Sequence, residues 1–90
     1  MKFEIGQLVA TRGAVGALDD EGLDAAVYVT RHVNGDWGDI GKEDAKANDD
    51  ALKFGNRVLS AYILPRSKTR IWILTEADRS STCVMLPSEY

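Results

Sequence analysis

A single histidine and a few carboxylates are the residues of this chain best suited to acid–base chemistry. His32 precedes Asp36 and Asp39 by a few positions, and Glu76 follows much later. A histidine beside carboxylates is typical of hydrolases and nucleases, because imidazole exchanges a proton near neutral pH. The position of His32 next to Val33 on a predicted helix favours a structural role instead, with the ring tied to the following loop. One histidine cannot form a two-histidine metal site, and the sequence predicts no metal and no cofactor.

The loop Asp36-Trp37-Gly38-Asp39 offers a second possibility. Two acids three positions apart could bind Mg²⁺ or Ca²⁺, although the ligand alternation of a calcium loop is missing. Asp39 is therefore predicted to cap the next helix. Trp37 either fills the core or forms an exposed contact. Asn48 falls on the apolar stripe of that helix, and we expect it to hold this loop, because an unpaired buried amide costs about 1–3 kcal/mol.

Charge is distributed unevenly along the chain. The net charge is -3, yet residues 1–18 carry +1, residues 19–50 carry -7 and residues 51–90 carry +3. Such asymmetry concerns partners rather than fold. The acidic stretch predicts a protein-binding surface, with the candidate residues Asp36, Trp37, Asp39, Glu43, Asp44, Asp49 and Asp50.

Two predicted turns near the end of the chain collect charged residues. Arg66, Lys68 and Arg70 precede Trp72, and basic residues beside an aromatic ring can hold a phosphate backbone. The net acidity opposes that interpretation, so we do not expect nucleic acid as the partner. The later turn contains Glu76, Asp78 and Arg79, which solvation of a hairpin tip explains without catalysis.

Length and hydrophobic periodicity predict one domain spanning residues 1–90. The expected elements are a strand over 3–10, a helix over 12–18 capped by Thr11, a helix from the Asp24 cap to Val33, a helix over 42–54, and strands over 58–64, 70–76 and 81–86. The order β-α-α-α-β-β-β predicts an α+β fold, with a C-terminal antiparallel meander and helices packed on one sheet face.

Strand patterns also predict positions within the sheet. The strand over 58–64 carries apolar residues on both faces, which is typical of an interior strand. The last strand is expected at an edge, where it could recruit a second copy. No stretch approaches the roughly 20 apolar residues of a membrane span, so no membrane partner is expected. The lone Cys83 cannot form an internal disulfide, which favours the cytoplasm.

Several segments resemble a family of small plasmid-related bacterial proteins that integrative elements also carry. The resemblance covers nearly the whole chain and rests on residues 31–39, 47–49, 59–62 and 71–80. Gly-Asp-Trp-Gly at 35–38 and Thr-Glu-Ala-Asp-Arg-Ser at 75–80 are its specific parts. Members often carry proline where this chain has Ala25. The resemblance implies a mobile-element setting and no particular activity.

These observations predict a non-catalytic, cytoplasmic macromolecule-binding protein of a bacterial mobile element. Its partner is expected to be a host or element-encoded protein. A sharper hypothesis is an acidic inhibitor that mimics nucleic-acid charge against a host defence system. Two alternatives stay open: a small hydrolase or nuclease using His32 with Asp36, Asp39 or Glu76, and a DNA-binding accessory protein using the hairpin Arg66–Arg70.

Overall fold

Three helices pack on one face of a four-stranded sheet in the computed structural model, which describes all 90 residues. The elements are β1 (Gln7–Ala10), α1 (Arg12–Asp20), α2 (Ala25–Val33), α3 (Lys42–Phe54), β2 (Val58–Ile63), β3 (Arg70–Thr75) and β4 (Ser81–Met85), followed by a short 3₁₀ helix, Pro87–Glu89. The α+β class and the predicted order of elements are confirmed.

Local capping explains where the first two helices begin. The Thr11 hydroxyl accepts a hydrogen bond from the Ala14 N–H, and the Asp24 carboxylate accepts one from the Ala26 N–H. The prediction that Asp39 caps α3 is wrong. Gly41 is the N-cap and supplies no side chain, because Asp39 lies two residues too early.

The strand order is β1-β4-β3-β2. β4 pairs parallel with β1 and antiparallel with β3, so the prediction that the last strand lies at an edge is wrong. The three helices carry the chain from β1 to β2 at the opposite edge, and the antiparallel strands β2, β3 and β4 then return it beside β1. β2 occupies the edge, so the interior position predicted from its two apolar faces is also wrong.

The outer edge of β2 is closed by a side chain and a loop. The Asn48 amide accepts a hydrogen bond from the Leu59 N–H at 3.1 Å and donates one to the Leu59 carbonyl at 2.7 Å. Asn48 thus replaces the peptide group of a neighbouring strand. The prediction that Asn48 holds the 36–39 loop is wrong, because its amide binds Leu59 instead. The backbone of that loop pairs with Ala61 from both sides of Gly38. A Cβ at Gly38 would lie 2.0 Å from the Ala61 carbonyl oxygen, which explains the glycine.

The main core lies between the helices and the inner face, by which we mean the sheet face that the helices cover. Ile71, Ile73 and Val84 project from this face and pack against helix residues such as Leu18 and Val29. A smaller cluster joins Trp37, Ala51 and Val58 beneath α3. The inner-face residues of β2, β3 and β4 are buried, whereas Leu8 on β1 is 46 % exposed, so the helices leave the β1 edge of this face free.

Replacing Asn48 with alanine tests the closed edge. We expect Asn48→Ala to lower the free energy of unfolding by about 1–3 kcal/mol, because the Leu59 N–H and carbonyl lose their partners. Urea unfolding followed by circular dichroism measures the loss. Lys46→Ala on the same helix removes only an exposed ion pair with Asp50 and should cost about 0.5 kcal/mol or less. Equal losses in the two variants would contradict this role of Asn48.

Candidate functional site

His32 is completely buried and hydrogen-bonded through both ring nitrogens. Nδ1 lies 2.5 Å from the Ser60 hydroxyl, and Nε2 lies 2.9 Å from the Thr75 hydroxyl. Thr75 contacts the Thr82 hydroxyl at 2.7 Å. The predicted partner was the loop after α2, whereas the observed partners lie on the strands.

Counting the available protons shows which group donates in each hydrogen bond of this series. The Thr82 hydroxyl donates to the Ile5 carbonyl, which can only accept, so Thr82 accepts from Thr75. The hydroxyl proton of Thr75 is then used, and Thr75 accepts from the Nε2–H of His32. A neutral imidazole has one N–H, so Nδ1 accepts from Ser60. The single proton of the neutral imidazole is therefore on Nε2.

The surroundings of His32 also favour the neutral ring. Burial, and secondly the nearby positive charge of Arg79, lower the pKa of His32 from 6.5 to about 4. The Phe3 ring stands edge-on to the imidazole at 5.1 Å between centroids, and Trp37 does so at 6.0 Å. His32 is thus shielded from water and makes no hydrogen bond with a carboxylate.

The acids proposed to act with His32 pair with arginines instead. Asp36 binds Arg31 at 2.7 Å, Asp39 binds Arg70 at 2.7 Å, and Glu76 lies 3.5 Å from Arg57. The hydrogen bond from Arg31 lowers the pKa of the Asp36 carboxyl. No group of three or more His, Cys, Asp or Glu side chains is placed to hold a metal ion. The structure does not assemble the predicted hydrolase site.

Two of the acids on α3 also have partners within the molecule. Its exposed side carries Lys42, Lys46 and Lys53 among the acids. Asp50 binds Lys46 at 3.0 Å, and Asp49 accepts a hydrogen bond from the Trp37 indole N–H at 3.3 Å. Glu43 and Asp44 are exposed in the first turn. Of the four acids of α3, only Asp50 is therefore paired with a base.

Trp37 is a core residue. Only 7 % of it is exposed, and its ring stacks on Phe3 with 6.2 Å between centroids. Of the two alternatives predicted for Trp37, the core position is observed and the exposed contact is not, because the loop folds back on β2 and turns the ring inward beneath α3.

The basic hairpin is likewise engaged within the molecule. The Glu21 carboxylate accepts hydrogen bonds from the backbone N–H groups of Arg66 and Ser67, at 2.7 and 3.3 Å. Lys68 donates to the Pro65 carbonyl, and Arg70 is held by Asp39. These contacts place acids beside the bases that would have to meet phosphates.

The outer face, which is the sheet face turned away from the helices, is apolar. Its apolar side chains come from alternate positions of the four strands: Val9, Leu59, Ala61, Ile63, Trp72, Leu74, Cys83 and Met85. Gln7, Arg70 and Ser81 lie on the same face at the ends of their strands. None of these residues belongs to either core cluster, although Ala61, Leu74 and Met85 are each less than 8 % exposed. A sheet face without a covering layer ordinarily alternates to polar residues.

The end of the chain crosses part of the outer face. Tyr90 packs edge-on to Trp72 with 5.8 Å between ring centroids, and its hydroxyl accepts a hydrogen bond from Arg57 at 3.0 Å. Tyr90 is itself 69 % exposed, and Ile63 and Val9 are each 42 % exposed. The ion pairs Arg57–Glu76 and Arg70–Asp39 border the apolar area. An apolar centre with a charged border is the usual anatomy of a protein interface.

Sequence reasoning missed the outer face, although the signal was visible. Strand β2 carries apolar residues on both faces, and so do β3 and β4. The predicted helices suffice to cover one face only. An uncovered apolar face follows from these two facts together, whereas the strand pattern alone indicated an interior strand.

Comparison with known proteins identifies no relative of this chain. No protein-family model matches the chain, and no curated protein or solved structure shows significant similarity to it. None of the helices has the length and apolar character needed to cross a membrane. Every buried side-chain nitrogen and oxygen has a hydrogen-bond partner, so no buried polar group points to a ligand.

The neutral His32 predicts a specific pH dependence of stability. The unfolded imidazole takes up a proton near pH 6.5, whereas the folded one resists protonation down to about pH 4. Lowering the pH through this window must therefore lower the free energy of unfolding, by about 2 kcal/mol between pH 7 and pH 5. Urea unfolding at both values measures the difference.

His32→Gln provides the control, because its amide can accept from Ser60 and donate to Thr75 without titrating. We expect this variant to lose much less stability than the wild type over the same window, whatever its stability at pH 7. A wild-type free energy of unfolding that is the same at pH 7 and pH 5 would show that the buried ring is not held neutral.

Proposed function

We propose that this chain is a non-catalytic domain that binds another protein through the outer face of its sheet. The observation that supports this proposal is the apolar outer face, which lies outside both core clusters and on which Val9 and Ile63 are each 42 % exposed. Burying apolar surface is the main favourable contribution to protein association, and each Å² contributes about 25 cal/mol. Ile63 on β2 is exposed and Trp72 on β3 is partly exposed, and both have large apolar side chains on this face.

The competing functions receive less support from the contacts. A hydrolase needs His32 within reach of a substrate and a carboxylate, and the ring is buried among hydroxyl groups. Mimicry of nucleic acid needs acids that are free and share a surface, and three of the six candidate acids, Asp36, Asp39 and Asp50, are paired with bases. DNA binding by the Arg66–Arg70 hairpin would require it to release Glu21 and Asp39.

The setting of the protein belongs to the same proposal. The sequence resemblance suggests a bacterial mobile element, and the partner would then be a host or element-encoded protein. We place the domain in the cytoplasm, where Cys83 on the outer face would stay reduced.

Capture of partners by a surface variant tests the proposal. Tagged wild type, Ile63→Glu and Val27→Glu are used to retain proteins from a host extract, which are then identified by mass spectrometry. Ile63 is 42 % exposed on the outer face, and Val27 is 59 % exposed on α2, so both variants add a charge to an exposed apolar site. We expect a protein that the wild type and Val27→Glu retain and that Ile63→Glu loses at least about tenfold, as a buried unpaired charge predicts.

The purified partner is then titrated against all three proteins by calorimetry. Equal affinity of the wild type and Ile63→Glu would contradict binding through the outer face. Retention of nucleic acid alone, or of no macromolecule, would contradict the proposed function.

A further inference from the structure

The two edges of the sheet differ in how they end. The β2 edge is closed by Asn48 and by the loop backbone around Gly38. No element lies beyond β1, which forms the other edge. Exposed strand edges are sites of pairing with another chain, and natural proteins usually protect them with charges, proline or a covering segment.

The hydrogen bonds of β1 show which backbone groups are free to pair. The Gln7 N–H donates to the carbonyl of Ser80, which precedes β4, and the Thr11 N–H donates to the carbonyl of Val84 on β4. Alternate residues of a strand face opposite neighbours, so the N–H and carbonyl groups of Leu8 and Ala10 point away from the sheet. These four groups lie side by side and can accept one more strand.

The side chains of β1 favour pairing as well. The strand reads Gln-Leu-Val-Ala and contains no charge and no proline. Leu8 is 46 % exposed and Val9 is 42 % exposed, on opposite faces of the sheet. Val15 on α1 adds a further apolar side chain that is 43 % exposed. Apolar surface is thus available on both sides of the unpaired backbone.

We propose that β1 pairs antiparallel with β1 of a second copy, so that the two sheets form one continuous sheet. With Val9 opposite Val9 across the two-fold axis, Leu8 of each copy exchanges two hydrogen bonds with Ala10 of the other. This arrangement uses all four free backbone groups of each copy. Two-fold pairing places the central residue of the strand opposite its own copy, so a charged residue there would meet a like charge. β1 contains no charged residue, and this repulsion is absent.

A second copy is the occupant that these observations favour. The free edge is its own complement, because two identical strands with uncharged apolar side chains match in antiparallel register without any further partner. A strand from a different protein would have to offer the same pattern of free N–H and carbonyl groups. No described side chain beside β1 specifies a contact that such a strand would make and a second copy would not. The dimer does not depend on the proposed use of the outer face, since Ile63 lies at the far end of the sheet from β1.

Sedimentation equilibrium over roughly 1–200 µM protein tests the dimer, a range that detects micromolar association. We expect wild type, Ile63→Glu and Val27→Lys to reach twice the mass of one chain. Val9→Lys should weaken the dimer at least about tenfold, because two ammonium groups then meet across the axis. Far-UV circular dichroism and thermal unfolding verify that each variant is folded.

Mixing opposite charges distinguishes this geometry from general loss of apolar surface. Val9→Lys and Val9→Glu should each be monomeric over most of this range, and an equimolar mixture should recover a dimer, because the charges are then opposite each other. A wild type that stays monomeric at the highest concentration would overturn the proposal. So would a dimer that Val9→Lys leaves unchanged, or folded charge variants whose mixture stays monomeric.

Discussion

The fold depends on one chain of hydrogen bonds that passes through the core. It runs from Ser60 on β2 through His32 on α2 to Thr75 on β3, and ends at Thr82 on β4 and the Ile5 carbonyl. Burying a polar side chain without a hydrogen-bond partner costs more free energy than burying an apolar side chain. The core can therefore accommodate these polar residues only when each of them reaches its partner in the chain of hydrogen bonds. A strand displaced by one residue would turn its member of the chain to the outer face. The chain therefore fixes the register of the strands and the position of α2 together.

The sequence predicts the parts of this structure that local chemistry decides. Helix α2 begins after Asp24 and ends at Val33 as predicted, because capping involves residues only a few positions apart. The partner of Asn48 could not be predicted in the same way. Asn48 is recognisable as a polar residue that needs a partner, but the choice between the loop and Leu59 depends on where β2 lies relative to α3.

The candidate surface shows the same limit. The charge of residues 19–50 is strongly negative along the sequence, yet in space much of it lies beside a base or a backbone N–H group. Asp39 meets Arg70 across the end of β2, and Glu21 meets the hairpin after β2. Charge that appears separated along the chain is therefore partly cancelled by folding. The apolar outer face remains, and it was hidden in strands whose patterns each fit an interior position.

The size of the outer face connects it to the free edge of β1. Strands spaced about 4.8 Å apart and about five residues long span roughly 300 Å² in a sheet of this width. Each partner of a typical stable complex contributes about 800 Å². Joining two copies through β1 would place two such faces side by side on one surface, and a protein bound there would contact both.

Asn48 also determines where such growth stops. A sheet with two free edges can add copies without limit, and the product is a filament. Here the amide of Asn48 occupies the position of the next strand on one side, so only the β1 side can be extended. Once two copies have joined, both remaining ends are closed, and assembly through the sheet is finite at two.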